Sequence, residues 1–218
     1  MSVKGWAQAV GVLAGTVLEH EVAHAVAALR AGGRVREVGV GFGPVLVRGP
    51  IGGVDVSLRP ILLGGFAAIE TDALPHKKRR PVLLAGPLAN IIAGVVLRVI
   101  AGSATPVALP GQRRPVEAGG VLAALTMLTR AAASGSRTLL RAASDINLSV
   151  GMMNLLPVMP LDGGHLAAAE LEAAGASRTA VAAFRHITAA LFLSFAVSVL
   201  LSDLGRLRVG GARPSETA

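Results

Sequence analysis

The sequence predicts a mainly α-helical, polytopic transmembrane bundle of about four spans, with a small membrane-associated β element between the first two. Three observations predict it. Hydrophobic residues make up 52% of the chain and charged residues 16%, against roughly 45–50% and about 25% in ordinary soluble domains. Mean hydropathy is +0.62, and the apolar residues gather in four stretches separated by basic or glycine-rich connections.

A membrane-crossing helix needs about 20 mainly apolar residues. The first stretch, residues 5–29, is uncharged from Gly5 to Leu18 and is then interrupted by Glu19, His20, Glu21 and His24. No small-residue cleavage site follows it, so it is expected to be retained. Residues 35–70 change character. Glycines 39, 41, 43, 49, 52, 53, 64 and 65 surround β-like runs at Val45–Arg48, Val54–Leu58 and Pro60–Ile69, which predicts a small sheet or hairpin beside the bundle.

The second span is residues 81–101, where Arg98 near the end is expected to reach back to the interface. Residues 102–120 read as a loop, and residues 121–133 as an amphipathic interfacial helix or a short fifth segment. The third span, residues 139–156, carries Arg141 and Asp145 one turn apart near its start. Leu166–Ala174 reads as a short helix ended by Gly175, and residues 181–204 form the fourth span. Residues 1–205 are expected to make one membrane-embedded domain, with residues 206–218 a disordered tail.

Lys and Arg outnumber Asp and Glu by 21 to 13, for a net charge of +8. Nucleic acid is not the expected partner: aromatic residues are 3%, tyrosine is absent, and the basic residues flank apolar stretches. Such flanks suit a lipid bilayer with anionic head groups. The absence of cysteine excludes disulfides and thiolate metal sites. Arg34, Arg36, Arg48, Arg59 and the run Lys77–Arg80 make the connection between the first two spans the cytoplasmic side, although Arg113, Arg114, Arg130 and Arg137 then lie opposite.

The chemistry concentrates in two segments. His20-Glu21-Val22-Ala23-His24 is an HExxH motif. On a helix, positions i and i+4 share a face, so both imidazoles reach one metal, with Glu21 beside them as general base. An ionised group at the centre of a bilayer costs about 2.5–3.5 kcal/mol on insertion scales. A bound metal offsets that penalty, and a solvated helix face has no comparable compensation. A catalytic zinc usually has three protein ligands. The third expected here is Asp162, in Asn154-Leu155-Leu156-Pro157-Val158-Met159-Pro160-Leu161-Asp162-Gly163-Gly164-His165, with His165 as the alternative and a helix cap as the ordinary role for such an aspartate.

Geometry supports the pairing. Gly5 to His20 spans 15 residues, about 22 Å of helix. The histidines then lie toward the far end of the first span, and Asp162 follows the end of the third. Those ends meet if one span, residues 81–101, runs between two parallel ones.

These segments resemble the site-2 protease family of intramembrane metalloproteases. The resemblance rests on HExxH, on Gly41-Phe42-Gly43-Pro44 with Leu63-Gly64-Gly65-Phe66, on Ala85-Gly86-Pro87-Leu88-Ala89-Asn90, and on Asn154–Gly164. It implies one Zn2+ held by His20, His24 and Asp162, Glu21 activating water, and Asn154 holding the substrate backbone or the developing oxyanion. Gly64, Gly65 and Asn90 are further expected substrate contacts. It also implies that strand 60–69 pairs with an unwound transmembrane substrate. Better-known bacterial members carry PDZ domains between the second and third spans; here residues 102–138 are too few. Substrate selection then falls to the core or to a separate adaptor. The expected activity is hydrolysis of peptide bonds in transmembrane or membrane-proximal segments, in a bacterial cell membrane, with the site near the cytoplasmic face. The alternatives are a non-proteolytic metal-binding scaffold, a zinc transporter and, third, a soluble zincin.

Overall fold

A computed structural model describes residues 2–70, 74–103 and 120–211. Helix α1 spans Val3–Arg30 and begins where the Ser2 hydroxyl accepts from the Gly5 amide at 3.1 Å. Four strands follow: β1 Val35–Phe42, β2 Val47–Ile51, β3 Val54–Leu58 and β4 Ile61–Ile69. Helices α2 His76–Ala101, α3 Val121–Ser134, α4 Ser136–Asn154, α5 Asp162–Ala173 and α6 Arg178–Gly211 complete the described chain.

The sheet order is β2-β3-β1-β4, with β1 parallel to β3 and antiparallel to β4. Strand β1 is central because Val35, Val38 and Val40 turn to the interior; with Ala25 and Ala28 of α1 and Val82 of α2, the first two seat the sheet on the helices. The other three strands are legible in the sequence, whereas Gly39 and Gly41 make β1 look like glycine punctuation. A second apolar cluster joins α1, α3 and α4 through Ala9, Leu128, Ala131 and Ala142. Small residues at both seams let the backbones approach closely, the usual route to helix packing in lipid.

Three helices among the described residues are long and apolar enough to cross a membrane: Val3–Arg30, His76–Ala101 and Arg178–Asp203. Many of their outward residues are apolar, among them Val22, Val26, Ile92, Val99, Leu191 and Phe195, which suits contact with lipid tails. The four-span expectation meets that number only in part. Helix α4 forms where the third span was expected, but Arg137, Arg141 and Asp145 lower its apolarity. Arg98, expected to reach back to the interface, donates to Asp145 at 2.6 Å, with Arg141 3.7 Å from the same oxygen.

Helix α3 matches the expected helix of residues 121–133 and buries Leu128 and Thr129. Helix α5 starts four residues earlier than predicted and ends before Gly175, which takes a positive φ of 84°. Helix α6 continues to Gly211, past Arg206 where a disordered tail was expected. The expected loop at 104–119 and the tail at 212–218 lie outside the described residues, as do 71–73.

Candidate active site and metal centre

His20 and His24 stand one turn apart on α1, each 6% exposed, with Glu21 beside them at 9%. Asp162 is the first residue of α5, and the residue in the capping position is Leu161. Its role is therefore not that of a helix cap. The turn from Leu155 to Leu161 folds closely over the start of α5: a Cβ on Gly163 would stand 2.3 Å from the Leu155 carbonyl oxygen. Glycine at that position lets the turn deliver Asp162 to the histidines.

His20 Nε2 lies 3.0 Å and His24 Nε2 3.2 Å from Asp162 Oδ2, and the two nitrogens are 3.1 Å apart. Tetrahedral zinc with bonds of about 2.0–2.2 Å sets its ligand atoms about 3.3 Å from one another, so the three atoms fit one such ion. The protons agree with the distances. His24 Nδ1 donates to the Val82 carbonyl at 2.7 Å, and His20 Nδ1 faces Asn90 Oδ1 at 2.6 Å. Both outer nitrogens thus carry their hydrogens away from the centre, and two imidazole lone pairs converge with a carboxylate oxygen, an arrangement a cation satisfies. Among the described residues, this is the one cluster of three His, Asp or Glu side chains suited to a metal. His165, the alternative ligand, is exposed and outside it.

Helix α2 approaches the centre at Gly86. A Cβ there would stand 2.4 Å from His24 Nε2 and 2.7 Å from His20 Nε2. In the sequence Gly86 stands out only as part of the Ala85–Asn90 segment. Strand β4 approaches from the other direction: a Cβ on Gly65 would stand 3.0 Å from Glu21 Cγ and 2.6 Å from Val17 Cγ1. The absence of a side chain at Gly65 brings the strand against the general-base candidate.

The remaining expected contacts divide. Gly64 precedes Gly65 on β4. Asn154 ends α4, half-buried, and its amide donates to the Val150 carbonyl at 3.0 Å. Asn90, expected to touch substrate, is fully buried. Its amide is engaged by His20, the Thr16 carbonyl and Asn147, so it stands behind His20. Asn147 and Thr16 were missed. Thr16 had a legible signal: with His20 and His24 it forms an i, i+4, i+8 stripe on one helix face.

The sequence pattern of Peptidase family M50 matches residues 8–199. The chain belongs to peptidase family M50. This M50 chain is 34% identical over 97 residues to a Brucella suis protein named as a zinc metalloprotease; the match covers 43% of the chain and 26% of the relative. It is likewise 34% identical over 100 residues to the chloroplastic membrane metalloprotease ARASP of Arabidopsis thaliana, covering 39% and 22%. The chain therefore spans about a quarter of the length of these curated relatives. The solved Site-2 Protease from Methanocaldococcus jannaschii aligns over 91% of this M50 chain and 68% of its own, at 22% identity and a TM-score of 0.49.

Proposed function

We propose that the chain is an intramembrane zinc metalloprotease that hydrolyses peptide bonds in transmembrane or membrane-proximal segments of membrane proteins. The observation that carries this reading is the convergence of Asp162 Oδ2 with His20 Nε2 and His24 Nε2, the two histidines and Glu21 lying on a helix long and apolar enough to span a bilayer.

His20, His24 and Asp162 would hold the ion. Zinc supplies Lewis acidity and makes water acidic enough to lose a proton near neutral pH. Glu21 takes that proton as water adds to the scissile carbonyl, and returns it to the amine as the C–N bond breaks. Asn154 donates to the carbonyl oxygen as charge develops on it, once its amide turns from Val150. Among the described residues, strand β4 pairs with β1 on one side only. Its other edge offers amides and carbonyls to a substrate segment held extended, with Gly64 and Gly65 keeping that segment near Glu21.

Helix α4 is a fourth, internal crossing, its charged start satisfied by the ion pairs among Arg98, Arg141 and Asp145. The basic run Lys77–Arg80 at the start of α2 supports a site near the cytoplasmic face of a bacterial membrane. Substrate selection falls to this core or to a separate adaptor.

The test is cleavage of single-span substrates in proteoliposomes by wild type and Glu21→Gln. Glu21→Gln is expected to keep its zinc and cleave about 10²–10⁴-fold more slowly. Cleavage by the variant at the wild-type rate would remove Glu21 as the base. A wild type that holds no zinc even after reconstitution would remove the protease reading.

A further inference from the structure

We propose that Asn90 and Asn147 form a relay that decides which nitrogen of His20 carries the proton, making them positioning residues for the metal site. The proposal rests on the metal reading above.

The relay has a fixed polarity. Asn147 Nδ2 donates to the Ala143 carbonyl at 3.0 Å and to Thr16 Oγ1 at 3.0 Å. Asn90 Nδ2 donates to the Thr16 carbonyl at 3.1 Å and to Asn147 Oδ1 at 3.1 Å. A backbone carbonyl only accepts, so Ala143 and Thr16 pin the NH2 side of both amides. Asn147 Oδ1 must then face Asn90, and Asn90 Oδ1 must face His20 Nδ1, 2.6 Å away. The hydrogen on that imidazole is forced onto Nδ1, and Nε2 keeps its lone pair for the ion. Reversing either amide would set NH2 against a donor or carbonyl against carbonyl in a dry interior, where Thr16, Asn90 and Asn147 are at most 4% exposed.

The second histidine shows why the relay exists. His24 Nδ1 bonds directly to the Val82 carbonyl, an acceptor that cannot turn over. His20 faces an amide side chain, which can, so the amide must be held from further away. Three helices contribute to that hold, with Thr16 on α1, Asn90 on α2 and Asn147 on α4.

Zinc affinity of the full chain in detergent, read by competition with a chromophoric chelator, tests the relay. Asn90→Leu is expected to bind zinc about 10–100-fold more weakly, the usual effect of removing a partner behind a metal-binding histidine. Asn90→Asp keeps an acceptor on His20 Nδ1 and should stay near wild type. A packing role predicts the opposite order, because leucine fills the space and a buried carboxylate does not suit it. Asn147→Leu leaves the Asn90 amide held by the Thr16 carbonyl alone, so it should weaken zinc by less than Asn90→Leu. The visible band of the cobalt-loaded protein should shift in both leucine variants and not in Asn90→Asp. Zinc affinity in Asn90→Leu equal to wild type, or Asn90→Asp binding more weakly than Asn90→Leu, overturns the relay while the metal site stands. If Asn90→Leu does not fold, undiminished affinity in Asn147→Leu overturns it equally. A wild type that takes up no zinc removes the metal reading and the relay together.

Discussion

Two polar clusters in this molecule solve opposite problems. Among the helices, His20, Asn90, Asn147 and Thr16 are linked by neutral, directional hydrogen bonds and are almost wholly buried. On the sheet, Glu37 collects Ser57 at 2.5 Å, Arg48 at 2.6 Å and Arg59 at 2.9 Å, and Arg48 remains half exposed. The interior cluster cannot use unpaired charge, because desolvation there outweighs the attraction unless the pairing is complete. It uses amides whose donor and acceptor ends are distinct, and so gains orientation. The sheet cluster sits where water screens charge, so ion pairs are tolerated there and individually contribute little. Position in the molecule decides whether a polar group specifies geometry or only adds a small stabilisation.

The largest expected effect breaks the interior side outright. Asp162→Ala should lose the zinc that the wild type retains through purification, measured by mass spectrometry on detergent-purified protein. Retention of stoichiometric zinc by the variant would mean that another side chain supplies the third ligand.

Next comes the space beside the centre. Gly86→Ala places a methyl group within 2.4 Å of His24 Nε2, and overpacking of this kind costs about 1–3 kcal/mol. Lower thermal stability together with weaker zinc binding is the expected result. Normal values for both would show that α2 can retreat from α1 at that point, and that the contrast between a rigid interior and a tolerant surface is overdrawn.

The smallest effect belongs to the sheet. Glu37 is held at about 2, below the ordinary 4.5, chiefly by the Ser57 hydroxyl, against some desolvation and with help from Arg48 and Arg59. Because its folded value is depressed, its contribution is full above about pH 4.5 and is lost as the pH falls through about 2. Glu37→Gln should therefore cost no more than about 1 kcal/mol at neutral pH, and the difference from wild type should vanish at the acid end. A larger loss in a denaturation series, or one independent of pH, would make this cluster more like the interior one than its exposure suggests.

The parts of the site legible in the sequence were those with a spacing rule. His20 and His24 are readable because four residues make one helical turn, and Asp162 because prolines and glycines around it announce a turn at the end of a helix. Asn147 carries no such rule: it is one amide in a helix that also holds serines and charged residues, and its meaning depends on α2 lying alongside. Asn90 was singled out by its segment, but sequence does not reveal whether an amide faces a cleft or the back of a histidine. Strand β1 was missed because its glycines look like punctuation, although Val35, Val38 and Val40 are what bury it. The outer helices were legible from apolarity alone. Helix α4 was placed correctly in the chain, yet its charges are satisfied by Arg98 on another helix, and no local reading supplies that partner.

The outer edge of β4, which pairs with no strand among the described residues, also has a cost in handling. An exposed strand edge is a template for any extended chain, including another copy of the same protein. Aggregation of the purified protein should therefore begin by strand pairing at Ile61–Ile69 before the helices lose structure, and a short extended peptide that occupies the edge should act as a stabilising additive.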